Sequence, residues 1–170
     1  MKGYVQIYTG NGKGKTTAAL GLCLRAVCAG KKVFFGQFVK GMKYSELKAP
    51  QFLNQLEIKQ YGRNCFIRKE PEKEDIRLAQ EGLKELQEKI RSGEYDIVVM
   101  DELNIALFYK LFKVEDVLKI LSQKNEKTEV IITGRYAPEE LIEVADLVTE
   151  MKEIKHYYQQ GVQAREGIEK

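Results

Sequence analysis

The chain has 170 residues, 44% of them hydrophobic and 31% charged, a balance that excludes a disordered polymer and allows one sizeable core. Its 28 Lys and Arg against 25 Asp and Glu leave a formal charge of +3 with both signs interspersed, which argues against a nucleic-acid surface. No run nears the roughly 20 apolar residues of a membrane helix and no leader pattern precedes the first strand-like stretch; Cys23, Cys28 and Cys65 fit neither a disulfide framework nor a zinc site, so a reducing cytoplasm is expected, with Cys23 and Cys28 as small buried residues.

Tyr4–Tyr8 reads as a short strand that ends at Thr9-Gly10. Lys15–Ala29, rich in Ala and Leu, reads as a helix closed by Gly30. Lys32–Val39 is a β-branched and aromatic strand, and Leu56–Tyr61 carries a fainter strand signal. Pro71–Arg91 has the clearest helical pattern: Pro71 suits a first turn, Glu72, Glu74 and Asp75 complement the helix dipole, and Ile76, Ala79, Leu83, Leu86 and Ile90 form one stripe. Asp96–Met100 is a continuous apolar strand leading into Asp101-Glu102. Val114, Val117, Leu118 and Leu121 mark another amphipathic helix, Glu129–Thr133 a strand, Pro138–Ala145 a short helix and Leu147–Met151 a last strand. From His156 to Lys170 the tail is polar and unpatterned, and a partly solvated segment is expected there. Strands alternating with helices predict one α/β domain over residues 1–170: three layers around a largely parallel sheet.

The segment from Thr9 to Thr17 lies between a predicted strand and a predicted helix, the context in which a Walker A pattern carries meaning. Glycines at 10, 12 and 14 are expected to turn main-chain N–H groups inward around an anion, with Asn11, Lys13 and Thr17 in the same loop. Lys15 supplies a charge to phosphate oxygens, the helix start adds its positive dipole end, and the Thr16 hydroxyl is placed for magnesium. The strict pattern asks for glycine where this chain has Thr9. Asp101, at the end of an apolar strand, is placed to hold magnesium directly or through water, and Glu102 either contacts the metal or orients a reacting group. Arg135 falls at another strand end; it either contacts phosphate or a second substrate, or is a surface arginine, and Arg25 on the first helix is open in the same way. His156, the only histidine, has no nucleophile near it in sequence.

Several segments together resemble the P-loop type of corrinoid adenosyltransferase: TGNGKGKTTAALG (Thr9–Gly21), FFGQFVKG (Phe34–Gly41), VVMDELNIAL (Val98–Leu107), VIITGR (Val130–Arg135), ADLVTEM (Ala145–Met151) and KHYYQQGVQAREGIE (Lys155–Glu169). The resemblance implies a RecA-like P-loop NTPase fold, commonly homodimeric, that binds ATP with Mg2+ and a reduced corrinoid. It implies attack of Co(I) on the 5′ carbon of ATP with triphosphate leaving, and a separate reductant such as a flavoprotein. Carried over, Gly10 to Thr16 hold the nucleotide, Thr16 and Glu102 contact magnesium with Asp101 in support, and Lys15 offsets triphosphate charge. Aromatic residues that some relatives place near the corrinoid correspond to Cys65, Phe66 and Ile67, where only Phe66 is aromatic. Some relatives also carry an amino-terminal arm over the site; this sequence begins one strand before the loop, so the expectation is that a different element covers the site or that it stays open. Two rivals use the same residues: a small P-loop ATPase or kinase with Glu102 polarising water, and a non-enzymatic nucleotide-switched module. The switch would favour a basic stripe with interleaved aromatics, which the chain approaches only near Tyr157 and Tyr158.

Overall fold

Strands that are apolar on both sides of the pleat must be covered on both faces, and the helical stripes between them supply the cover. The computed structural model, which describes residues 2–64, 67 and 70–170, has this arrangement. Strands β1 (Val5–Thr9), β2 (Val33–Phe38), β3 (Leu56–Tyr61), β4 (Ile97–Asp101), β5 (Glu129–Thr133) and β6 (Leu147–Glu150) form one sheet in the order β3-β2-β4-β5-β1-β6. Every pairing is parallel. All residues of β2 and β4 are buried, whereas the four residues of edge strand β6 are exposed.

Because successive side chains on a strand point to opposite faces, Phe34 and Phe35 enter two different cores. On one face α1 (Lys15–Cys28) lays Ala19, Cys23 and Ala26 on Val33, Phe35, Val99 and Ile131. On the other, α2 (Lys73–Ser92) lays Ala79, Leu83, Leu86 and Ile90 on a layer that includes Ile7, Phe34, Phe38, Val98 and Met100. Helices α3 (Leu103–Phe108), α4 (Val114–Ser122) and α5 (Glu139–Val144) share that second face. Each fully buried Leu or Ile there contributes roughly 1.5–3 kcal/mol of transfer free energy.

Three details differ from the sequence expectation. Cys23 is buried, and burial pushes its thiol up to about 12, but Cys28 is exposed because it lies on the outer side of the last turn of α1. Helix α2 begins at Lys73, not Pro71, because the Asp75 carboxylate accepts the Glu72 N–H at 2.8 Å and fixes the cap there. Helix α3, six residues long, is too short for its periodicity to show in the sequence. The end of α1 is as expected: Gly30 has φ 79°, and the N–H groups of Gly30 and Lys31 bond the carbonyls of Val27 and Ala26, both at 2.9 Å.

Candidate active site at the strand ends

A parallel sheet brings all its carboxyl-terminal ends to one edge, which is where ligands collect in open α/β folds. That edge carries the loop after β1, Lys40 after β2, Asp101 and Glu102 at the end of β4, Arg135 after β5 and Met151 after β6. Thr9 belongs to β1 and pairs with Glu150 of β6, so the position where the strict loop pattern asks for glycine is here a strand residue.

The loop glycines divide their work. A Cβ on Gly10 or Gly12 would lie 2.5 or 2.7 Å from the Met151 carbonyl oxygen, and the Gly12 N–H donates to that oxygen at 2.6 Å. Gly12 therefore admits the chain leaving β6 and does not offer its amide to an anion, which corrects the expectation for that residue. Among the described residues, the N–H groups of Lys13, Gly14, Lys15, Thr16 and Thr17 have no hydrogen-bond partner, and α1 has no side-chain cap. Five open amides at a helix start form an anion site. Lys15 lies over the loop, its Nζ donating to the Gly10 and Gly12 carbonyls at 2.8 and 2.7 Å. Burial holds this ammonium below its ordinary pKa, although Glu102 pulls it upward.

Asp101 is fully buried, and both carboxylate oxygens are taken. Oδ1 accepts the hydroxyls of Thr16 at 2.8 Å and Thr133 at 2.7 Å; Oδ2 accepts Lys40 Nζ at 2.8 Å and Gln37 Nε2 at 3.2 Å. The carboxylate thus holds Thr16 from behind. Glu102 differs. Its backbone is left-handed, at φ 57°, with its N–H on Thr133 Oγ1, and among the described residues its carboxylate has no hydrogen-bond donor. Burial first, and the charge of Asp101 second, raise its pKa above the ordinary carboxylate value. An open carboxylate near a positioned hydroxyl is the kind of oxygen donor set that suits a hard divalent cation.

Two cavities meet at these residues. The first, about 460 Å³, is lined by Lys13–Thr17, Leu20, Lys40, Tyr44–Glu46, Glu102 and the tail residues 167–170. The second, about 490 Å³, has apolar walls from Val39, Ile67, Ile105 and Tyr109, with Arg135 and His156 beside them. Lys13, Lys15, Lys40, Tyr44 and Glu102 line both. Of the residues expected at the site, Gly12, Lys13, Gly14, Lys15, Thr16, Thr17, Glu102 and Arg135 reach a cavity wall, Asp101 stands behind one and Gly10 lines neither. Asn11 is exposed outside both, and Arg25 sits in the last turn of α1, exposed, roughly 15 Å along the helix from Lys15. Cys65 and Phe66 lie outside the described residues; Ile67 lines the second cavity.

Sequence reasoning missed Lys40, Tyr44, Tyr109 and the tail. Lys40 follows the buried strand β2, so the strand-end rule that singled out Asp101 and Arg135 pointed to it equally. For the tail there was no periodic signal; it is partly solvated as expected, with most of residues 157–170 exposed, but its anchoring to the site was not foreseen. Glu169 pairs with Lys13 at 2.7 Å and accepts hydrogen bonds from Tyr157 and Arg165, while the Lys170 carbonyl accepts from Ser45 Oγ at 3.0 Å. Cross-chain bonds to loop side chains, which no local pattern encodes, hold it over the first cavity. His156 accepts the Tyr158 N–H at 3.0 Å through Nδ1.

An all-parallel α/β sheet whose first strand runs into an amide-lined loop and helix, with Lys15 and Thr16 at the start of that helix, defines a protein of the P-loop class. The sequence model of the family described as ATP:corrinoid adenosyltransferase BtuR/CobO/CobP matches residues 1–169. A corrinoid adenosyltransferase of Sinorhizobium sp is 37% identical over 172 residues, covering 99% of this chain and 80% of the relative. The corrinoid adenosyltransferase of Escherichia coli strain K12 is 32% identical over 99% of this chain and 86% of its own length. Corrinoid adenosyltransferase CobA of Salmonella typhimurium is 31% identical over the same shares. The chain belongs to the corrinoid adenosyltransferase family of transferases. Among the described residues, no helix is long and apolar enough to cross a membrane.

Proposed function

We propose that the protein transfers the adenosyl group of ATP to the cobalt of a Co(I) corrinoid, with triphosphate as the leaving group. The observation that carries this reading is the pair of cavities with a common wall of Lys15, Lys40 and Glu102. The first cavity offers open amides and lysines to a polyphosphate; the second offers an apolar wall to a bulky second substrate. In such a reaction the nucleophile is the substrate's own cobalt. The bond from C5′ to oxygen breaks as the bond from C5′ to cobalt forms, and the electron pair leaves on triphosphate.

What the chain must supply is position and charge. Lys13, Lys15 and the amides of residues 13–17 neutralise the leaving group, Thr16 is fixed by Asp101, and the wall of Val39, Ile67, Ile105 and Tyr109 keeps water from the reduced metal. Thr16 and Glu102 would hold Mg2+, with Asp101 in support, and the ion would add positive charge at the phosphates. The reading extends to a homodimer in a reducing cytoplasm, with electrons delivered by a separate reductant such as a flavoprotein. The free thiols of Cys23 and Cys28 support such a setting.

The test is incubation with ATP, Mg2+ and chemically reduced cobalamin, following the corrinoid absorbance and the phosphate product. An adenosylated corrinoid with intact triphosphate is expected. ADP without adenosylated corrinoid would overturn the reading in favour of a small ATPase or kinase.

A further inference from the structure

Lys40 holds an unusual post. Its side chain is only 14% exposed, and its ammonium lies 2.8 Å from Asp101 Oδ2 and 3.5 Å from Thr16 Oγ1. Those are two of the groups named above for magnesium. The chain reaches this placement through strain: Val39, β-branched, is left-handed at φ 49°. The turn is locked by close packing, since a Cβ on Gly41 would lie 2.3 Å from the Gly62 carbonyl oxygen, and one on Gly62 would lie 2.6 Å from Lys40 N. A strained residue held by its surroundings, aiming a cation at a fully buried carboxylate, marks a functional position.

We infer that Lys40 is a resident counter-ion that occupies the cation position between Thr16 and Asp101 until Mg2+ displaces it. This rests on the metal and nucleotide part of the proposed function, not on its corrinoid part. A fully buried carboxylate needs a compensating charge at all times, and Lys40 provides it when the divalent ion is absent. Once displaced, the ammonium remains on the wall common to both cavities, next to the polyphosphate. Lys40 is thus a positioning residue that makes metal uptake conditional on nucleotide, because the buried ammonium repels a second cation at the same carboxylate until polyphosphate charge offsets it.

The experiment compares the nucleotide-free chain with Lys40→Met and Lys40→Arg, in EDTA and with Mg2+ alone, by thermal unfolding and calorimetry. Lys40→Met is expected to melt lower in EDTA and to recover with Mg2+. It should bind Mg2+ at least about fivefold tighter than the unaltered chain, the low end of ordinary coupling between competing ligands. Lys40→Arg is expected to melt like the unaltered chain and to ignore Mg2+. Parent-like melting of Lys40→Met in EDTA, with unchanged Mg2+ affinity, would overturn the inference. Should Lys40→Met not fold, the Lys40 ammonium NMR signal of the unaltered chain decides. It must shift when Mg2+ is added to the nucleotide complex, and an unmoved signal overturns the inference. No corrinoid enters these measurements, so loss of the adenosylation reading and loss of this one are separable.

Discussion

The two cavities at the strand ends are made by different means. The first has at its base a glycine-rich turn, a helix start and open amides from five consecutive residues. The second is made of side chains from separate segments, among them Val39, Ile67, Ile105, Tyr109, Arg135 and His156. Main chain recognises charge and shape common to all polyphosphates, whereas a wall of side chains recognises one particular surface. Loss of a phosphate-facing cation in the first cavity should therefore damage chemistry and nucleotide capture together, and substitutions in the apolar wall of the second should alter only the choice and hold of the second substrate.

The largest effect that tests this division is expected from Lys15→Ala. With the fold retained, turnover should fall about 10²- to 10³-fold, the usual cost of removing one preorganised charge from a leaving group; single-turnover kinetics and nucleotide calorimetry measure it. Turnover near the parent level would break the comparison at its stronger side.

Next comes the support of the second wall. Arg63, just after β3, grips Asp75 in the first turn of α2 through Nε at 2.7 Å and Nη2 at 2.8 Å, and so ties together the two elements that flank Ile67 in sequence. Asp75→Ala should cost about 2 kcal/mol, less than a wholly buried pair because Arg63 is partly exposed. Burial of Asp75 opposes its charge, but the Arg63 bonds and the Glu72 N–H outweigh this and hold its pKa below the ordinary carboxylate value. The unfolded chain then binds the extra proton, so the stabilisation is complete above the unfolded pKa of about 4 and is lost as pH falls through the lower folded value. Urea melts of parent and variant should differ constantly near neutrality and converge in acid.

Tyr109, whose hydroxyl reaches the Ile67 carbonyl at 3.3 Å, tests the second cavity itself. Tyr109→Ala should raise the corrinoid KM about tenfold, in keeping with the loss of one packed wall group, and leave the nucleotide Kd unchanged. A matching loss in nucleotide affinity would show that the cavities are not separable. The smallest effect is expected from Glu169→Gln. Its carboxylate competes with phosphate for Lys13, so the variant should bind nucleotide more tightly by less than about fivefold, and added salt should erase the difference.

The same division decides what the sequence reveals. Gly14, Lys15 and Thr16 are consecutive, and a strand before and a helix after them fix their geometry locally; Asp101 ends a strand too apolar to lie elsewhere than mid-sheet. Those features are readable because adjacency in sequence is adjacency in space. Lys40 shares that strand-end position, but its pairing with Asp101 follows only when β2 is placed beside β4, which no local pattern states. The tail is a further step removed. Its hold on Lys13 and Ser45 spans more than a hundred residues of chain, and neither propensity nor periodicity registers such bonds. Gly12 gives the opposite lesson: its place in the motif was plain, but its amide serves Met151.

That last bond has a dynamic consequence. β6 is one of the two edge strands, paired on one side only and exposed along its length, and such strands are the first to open in native-state fluctuations. Met151, just past it, donates to the Thr9 carbonyl at 2.8 Å and accepts from Gly12, so fraying there slackens the turn that grips the polyphosphate. Amide hydrogen exchange at Gly12 should consequently follow the opening of residues 147–151. Nucleotide on the turn should slow exchange throughout a strand that it never touches.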